Sequence, residues 1–202
     1  YEDQKQGEKV KVTCTKSNEG FATAGGVQYV ACAGNFKDAG LEYTGALKVL
    51  QMIFSYEYLW IQIRVKGGAY GCMCSFSDQG DSMFVTYRDP NLSESYKVYD
   101  EAADYVADFD ADDRDMKKYI IGTIGSMDMP MEAVDMGARS FHAYFLGKTE
   151  ADLQKVRDQV LSCTQEDIRA LAPIVKAVVE AGNRCCIGNE EKIDQNKEFL
   201  MK

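Results

Sequence analysis

Apolar residues recur along this chain with two distinct periods. Between Tyr43 and Val65, Leu47, Leu50, Phe54, Tyr58 and Ile61 step by three or four residues, the spacing of one helical face, which predicts a helix over 43–65. The pair Gly67-Gly68 stops it. The pattern then changes to alternation. Cys72, Cys74 and Phe76 fall on one face of a predicted strand over 71–76, and Met83, Val85 and Tyr87 on one face of a second over 82–88. Ser77-Asp78-Gln79-Gly80-Asp81 lies between them and is rich in turn formers, so the two strands read as a hairpin. Upstream, Val27–Ala33 reads as a strand and 35–40 as a loop.

Helical spacing returns after the hairpin. Asp89-Pro90 opens a helix, with Asp89 as its N-cap, and Leu92, Tyr96, Tyr99, Ala103 and Val106 form its apolar stripe. Further helices are predicted over 113–125, 131–146, 150–162 and 165–181, the last capped by Thr164 with Asp167 three residues on and ended by Gly182. Residues 184–187 form a short closing strand, and Asn189 caps a final short helix. Residues 1–24 are polar and glycine-containing and read as a lead-in arm, leaving 25–202 as a single domain. Strand, helix, hairpin, several helices, strand is an α+β order: a mostly antiparallel sheet with helices packed on one face.

Charge and cysteine usage narrow the function. The chain has 202 residues and a formal net charge of -9. A protein whose main partner is nucleic acid needs a basic patch, so no nucleic acid is expected. No window approaches the roughly 18 apolar residues of a membrane span, so no membrane is expected either. The seven cysteines (14, 32, 72, 74, 163, 185 and 186) are odd in number and irregularly spaced, unlike a disulfide framework, which points to a reducing compartment. Tyr1 rather than Met opens the sequence and no basic, apolar leader follows, so a piece of a longer protein is expected.

Three tempting motifs fail on spacing. In Ile63-Arg64-Val65-Lys66-Gly67-Gly68-Ala69-Tyr70-Gly71, Lys66 precedes the glycines and a helix precedes them too, the reverse of both phosphate-loop orders. A helix stop explains Gly67 and Gly68 but leaves Arg64 and Tyr70 unexplained. Asp108, Asp110 and Asp112 match the first three ligand positions of a calcium loop, yet the sixth is Asp113 instead of Gly and the twelfth Tyr119 instead of Glu. The lone histidine, His142, cannot satisfy either two-histidine zinc motif and reads as a core or boundary residue beside Phe141 and Tyr144. No self-sufficient catalytic set and no metal site are found in the chain.

The run Tyr58–Gly71 resembles a block in the C-terminal half of presequence-protease-type zinc peptidases, of the pitrilysin/insulin-degrading-enzyme group. Val27–Val30 resembles the start of their last domain, Ser82–Leu92 their second hairpin strand and the helix after it, and Ile120–Pro130 a further block. The four stretches occur in family order from about residue 20 to the end. The resemblance implies a metallohydrolase-like domain of the mitochondrial-processing-peptidase type, the last of four in a two-half clamshell. The first half carries H-x-x-E-H and the zinc; the second closes over it.

By that resemblance Arg64 and Tyr70 are the catalytic pair, reaching the substrate near the zinc, with Gly67 and Gly68 shaping the substrate-binding corner. The chemistry agrees: a tetrahedral intermediate develops an oxyanion that needs preplaced donors, and a phenol and a guanidinium are such donors. The implied partners are the N-terminal catalytic half of the same polypeptide and unstructured peptides. The implied cofactor is zinc in the full-length enzyme, with none in this chain, so the chain alone is expected to be inactive. Bacterial cytoplasm is the expected compartment, with an organelle matrix the other option. Acidic residues between 100 and 115 would steer basic peptides if they faced the chamber. A non-catalytic scaffold domain of the same fold is the alternative reading.

Overall fold

The computed structural model describes residues 18–200; residues 1–17, with Cys14 and most of the expected arm, lie outside the described residues. Five strands form one sheet: β1 (Glu19–Thr23), β2 (Tyr29–Asn35), β3 (Gly71–Phe76), β4 (Asp81–Tyr87) and β5 (Asn183–Asn189). Their spatial order is β1-β5-β2-β4-β3. β2, β3, β4 and β5 pair antiparallel, and only β1 runs parallel to its neighbour β5. This is the expected α+β architecture. The sheet begins earlier than expected, because Glu19–Thr23 joins it as an edge strand ahead of the boundary placed at residue 24.

Helices cover one face of the sheet. α1 (Ala46–Tyr56) packs on β3 and α8 (Ala172–Glu180) on β2. Between sheet and helices lie Val30, Cys32, Phe84 and Cys186, each at most 1% exposed. Phe84 is the centre of an aromatic cluster, with ring centroids 5.8 Å from Phe54, 6.0 Å from Phe76 and 5.4 Å from Tyr99. Burying each such side chain contributes about 1.5–3 kcal/mol.

In β4, Met83, Val85 and Tyr87 share a face as expected, and it is the open one; Ser82, Phe84 and Thr86 point into the core. Two hydroxyls tolerate that burial because they bond to backbone. Ser82 Oγ donates to the Gly80 carbonyl at 3.1 Å, and Thr86 Oγ1 accepts from the Val30 amide at 3.1 Å. The opposite face carries Phe21, Tyr29, Met73, Met83, Tyr87 and Ile187, each between 38% and 57% exposed.

The predicted helices are broken in three places. The helix expected over 43–65 starts at Ala46 and ends at Tyr56; Glu57 leaves helical geometry at φ -108°, ψ -85°. A π-helical segment, Trp60–Lys66, follows. The phase shift buries Ile63 (2% exposed) and turns Ile61 out (37%), so the predicted stripe fails at its last member. The helix expected after Asp89 begins at Ser93, and is split into α2 (Ser93–Asp100) and α3 (Ala102–Ala107). The helix expected over 165–181 divides into α7 (Gln165–Arg169) and α8, with Pro173 in the first turn of α8. Proline has no amide hydrogen and clashes with the carbonyl four residues back, so the helix restarts there.

α4 (Asp113–Met127), α5 (Ala133–Phe145) and α6 (Glu150–Leu161) match expectation within two residues at each end. α5 buries none of its residues, and His142 is exposed, which corrects its reading as a core or boundary residue. No helix among the described residues is long and apolar enough to cross a membrane.

The face assignment has a direct consequence. Phe84→Ala is expected to cost about 3–5 kcal/mol in urea unfolding. Met83→Ala, one residue away on the open face, is expected to stay within about 0.5 kcal/mol of the parent. Equal losses would mean that the helices lie on the other face.

Candidate functional site at the glycine corner

The corner that joins the π-helical segment to β3 is built by backbone bonds. Gly67 N donates to Gln62 O at 3.0 Å and Ala69 N to Ile63 O at 3.1 Å, closing wide turns at the helix end. Only glycine fits at 67, because a Cβ there would lie 2.5 Å from the Ile63 carbonyl oxygen. Gly68 adopts φ +82°, which glycine takes without the steric cost that a side chain brings. π-type turns of this kind occur often at functional sites.

Those turns set Arg64 and Tyr70 side by side. The Arg64 guanidinium carbon lies 4.5 Å from the Trp60 ring centroid and 5.4 Å from that of Tyr70. Cation–π contacts of this sort are worth about 0.5–1 kcal/mol when exposed and more when desolvated. Tyr70 is 64% exposed, and its hydroxyl makes no hydrogen bond among the described residues. Its ring stands edge-on to Tyr87 at 5.8 Å, and Tyr87 in turn to Tyr29 at 5.5 Å. The corner thus continues onto the open face of the sheet.

A second loop holds the first. Tyr70 N donates to Arg88 O at 3.3 Å, and Asn91 Nδ2 donates to Gly67 O at 2.6 Å. Between these contacts sits Asp89, fully buried. Its carboxylate accepts from Ser95 Oγ at 2.6 Å and from the Asn91 amide at 2.9 Å. Burial pushes the Asp89 carboxyl above the usual carboxylate range, and the hydrogen bonds from Ser95, Asn91 and Thr86 oppose that push in part. Gln28 crosses beneath: it exchanges backbone bonds with Asp89 at 2.7 and 2.8 Å, and its Oε1 accepts from the Asn189 amide at 2.9 Å. Arg88, forced between these fixed points, sits at φ +50°, a left-handed conformation that costs a non-glycine residue about 1–2 kcal/mol.

The result is an open cavity of about 480 Å³ lined by Val27, Arg64, Gly68, Ala69, Tyr70 and Arg88. Neither arginine has a carboxylate partner among the described residues. Such an arrangement offers hydrogen-bond donors to an acceptor that comes from outside. Of the residues expected at the site, Arg64, Gly68 and Tyr70 line this cavity, while Gly67 lies behind it as the acceptor for Asn91. Trp60, Arg88 and Asn91 were not singled out by residue type or spacing. An available signal was the Asp-Pro-Asn turn after a strand, which marks a rigid corner.

The other candidate chemistry dissolves into structure. Asp112 caps α4, accepting from the Asp115 amide at 2.8 Å. The acidic run from Asp100 to Asp115 follows α2, α3, the connection at 108–112 and the start of α4, in the helical layer away from the open sheet face. Steering by that cluster toward the Arg64–Tyr70 corner is therefore not supported. Burial raises the Cys72 thiol to about 11 and the Cys74 thiol further, so both pack as neutral hydrophobes. No group of three or more His, Cys, Asp or Glu side chains among the described residues is arranged to hold a metal.

The fold is that of peptidase M16 domains. The described domain superposes on the peptidase M16 inactive domain from Pseudomonas fluorescens with a TM-score of 0.61, at 16% identity, over 84% of this chain and 42% of that one. It superposes on the inactive peptidase domain of a zinc protease from Bordetella parapertussis with a TM-score of 0.59, at 14% identity, over 82% of this chain and 91% of that one. The sequence goes further: residues 18–189 match the family described as PreP C-terminal domain, and the chain belongs to that family. It is 44% identical over 185 residues to Protein HypA of Clostridium perfringens, covering 92% of this chain. It is 34% identical over 178 residues to presequence protease 1, chloroplastic/mitochondrial, of Arabidopsis thaliana, covering 88% of this chain. The chain spans 19% and 16% of the lengths of those two relatives.

The corner's construction predicts a graded response. Asn91→Ala is expected to cost about 1 kcal/mol for the lost bond to Gly67. Gly67→Ala is expected to cost about 1–3 kcal/mol, since the methyl meets backbone. Urea unfolding measures both, and parental stability in Gly67→Ala would contradict the geometry.

Proposed function

We propose that this chain is the last domain of a zinc endopeptidase that degrades unstructured peptides, with 25–202 as its non-metal-binding unit and Glu19–Thr23 as an added edge strand. In this reading Arg64 and Tyr70 touch the substrate near a zinc held by the N-terminal half of the same polypeptide. The observation that carries it is the Arg64–Tyr70 corner itself: a guanidinium fixed between two rings beside an exposed phenol, both donors unspent among the described residues. Membership of the presequence-protease family and the chain's small share of its relatives' length agree with a closing domain.

The chemistry follows from the donors. When bound by the other half, zinc would supply Lewis-acid polarisation and activation of a water. Tyr70 donates its hydroxyl hydrogen to a carbonyl oxygen that gains charge as the peptide is attacked. Arg64 adds a fixed positive charge, and its stacking on Trp60 means that little is lost in ordering it at that moment. Gly67 and Gly68 contribute to substrate binding by keeping the corner narrow enough for peptide backbone to approach. Donors and metal sit on different halves, so activity requires closure, and this chain alone is inactive.

The surface supports a chain that packs against more of itself. Val134, Phe141, Tyr144 and Phe145 on α5 are between 61% and 81% exposed, which suits burial against the rest of the polypeptide. Bacterial cytoplasm or an organelle matrix is the compartment this reading implies.

In the full-length protein, Tyr70→Phe and Arg64→Ala are each expected to lower kcat by about 10²–10³ while zinc content stays at the parental level. A chelator is expected to abolish turnover. Parental turnover in both variants would overturn the site. Absence of H-x-x-E-H from the upstream sequence would replace the enzyme with the scaffold domain.

A further inference from the structure

A second cation stands at the same cavity, and the proposed catalytic pair does not use it. Arg88 lines the opening together with Arg64 and Tyr70, and its side chain is exposed. Its backbone is held on both sides. Arg88 O accepts from Tyr70 N, and the next residue, Asp89, exchanges two backbone bonds with Gln28 and buries its carboxylate. The strand end therefore fixes where the Arg88 side chain leaves the fold. Position 88 has φ +50°, where glycine would sit freely, yet the largest of the cationic side chains occupies it.

Charge makes the position more telling. The chain carries a net charge of -9, with 32 acidic residues against 23 basic ones. Many cations are paired: Lys118, Lys148, Arg157, Arg169, Lys176 and Lys197 each have a carboxylate partner within the described residues. Arg64 and Arg88 have none, although acids are abundant. A neutral peptide carbonyl needs a single charged donor at most. Two guanidiniums at one opening of about 480 Å³ suit a group that carries a full negative charge and two acceptor oxygens.

We propose that Arg88 is a substrate-binding residue that sets specificity, and that the Arg64–Arg88 cavity takes a carboxylate of the bound peptide. This deepens the peptidase reading and rests on it. The carboxylate comes from an acidic side chain near the scissile bond or from the peptide's own C-terminus. Arg64 serves both the reacting carbonyl and this group; Arg88 serves this group only.

The test uses the full-length protein and two matched peptide pairs. One pair differs only as Glu against Gln beside the cleaved bond, the other only as free acid against C-terminal amide. The readouts are the ratio of kcat/KM within each pair and, by calorimetry, the ratio of affinities, which needs no turnover. The parent is expected to favour the carboxylate member of one pair by about tenfold or more, as charged hydrogen bonds of this kind provide. The pair that shows the preference identifies the source. Arg88→Gly is expected to bring that ratio close to one without lowering the unfolding temperature, because glycine accepts φ +50° without strain. Arg88→Lys is expected to retain part of the ratio.

A merely structural role for Arg88 would lower both members of a pair equally and leave the ratio untouched. That result overturns the proposal, as does a parent with no preference in either pair. If Arg64→Ala and Tyr70→Phe lose turnover while Arg88→Gly keeps the parental ratio, only the carboxylate pocket falls. If those two variants keep parental turnover, the peptidase site itself falls.

Discussion

The structure depends on one buried crossing, where Gln28 and Asp89 meet. Both are fully buried, and they exchange backbone bonds as an isolated antiparallel bridge. Gln28 reaches on to β5 through Asn189, and Asp89 to α2 through Ser95. An unpaired polar group at such a site costs about 1–3 kcal/mol, and a charged one more, so each hydrogen bond here is needed to hold the others. Among the described residues no buried side-chain nitrogen or oxygen lacks a partner. The crossing locks Arg88, Pro90 and Asn91, and these hold the glycine corner through Tyr70 N and Gly67 O. The position of the half-buried Arg64 and the exposed Tyr70 is thus determined by a carboxylate that never meets solvent.

A rigid corner is what an acceptor-binding site needs. Donors that must be reordered at the moment of reaction lose part of their effect, whereas donors already aimed do not. Trp60 immobilises Arg64 from below and Tyr70 flanks it, and the aromatic line through Tyr87 and Tyr29 carries the same surface across the sheet. Helices occupy the other face, so the open one is left for contacts outside the domain.

Much of this was legible in the sequence because it rests on local periodicity. The hairpin around Ser77–Asp81, the caps at Thr164 and Asn189 and the stripe from Leu92 to Val106 all follow from residues near one another in the chain. The misreadings have physical causes that spacing does not carry. The π-helical segment changes the helical phase after Glu57, which no apolar count foresees. Alternation in β4 groups Met83, Val85 and Tyr87 without telling which face is the core, and the core accepts Ser82 and Thr86 because their hydroxyls bond to the backbone of Gly80 and Val30. Each residue of Glu19–Thr23 is exposed, so the segment reads as an arm, yet it gains a strand's hydrogen bonds from β5, over 160 residues away. The pairing of Arg64 with Tyr70 was reached through family resemblance; their spacing alone also fitted a simple helix stop.

The central claim is that Arg64 and Tyr70 act on a substrate bound by the rest of the polypeptide. A structure of the full-length protein, closed on a peptide it cannot cleave, tests it most directly. The account predicts the Tyr70 hydroxyl and the Arg64 guanidinium within about 2.7–3.2 Å of peptide carbonyl oxygens beside the metal. A peptide held at the metal with both side chains still in solvent would contradict it.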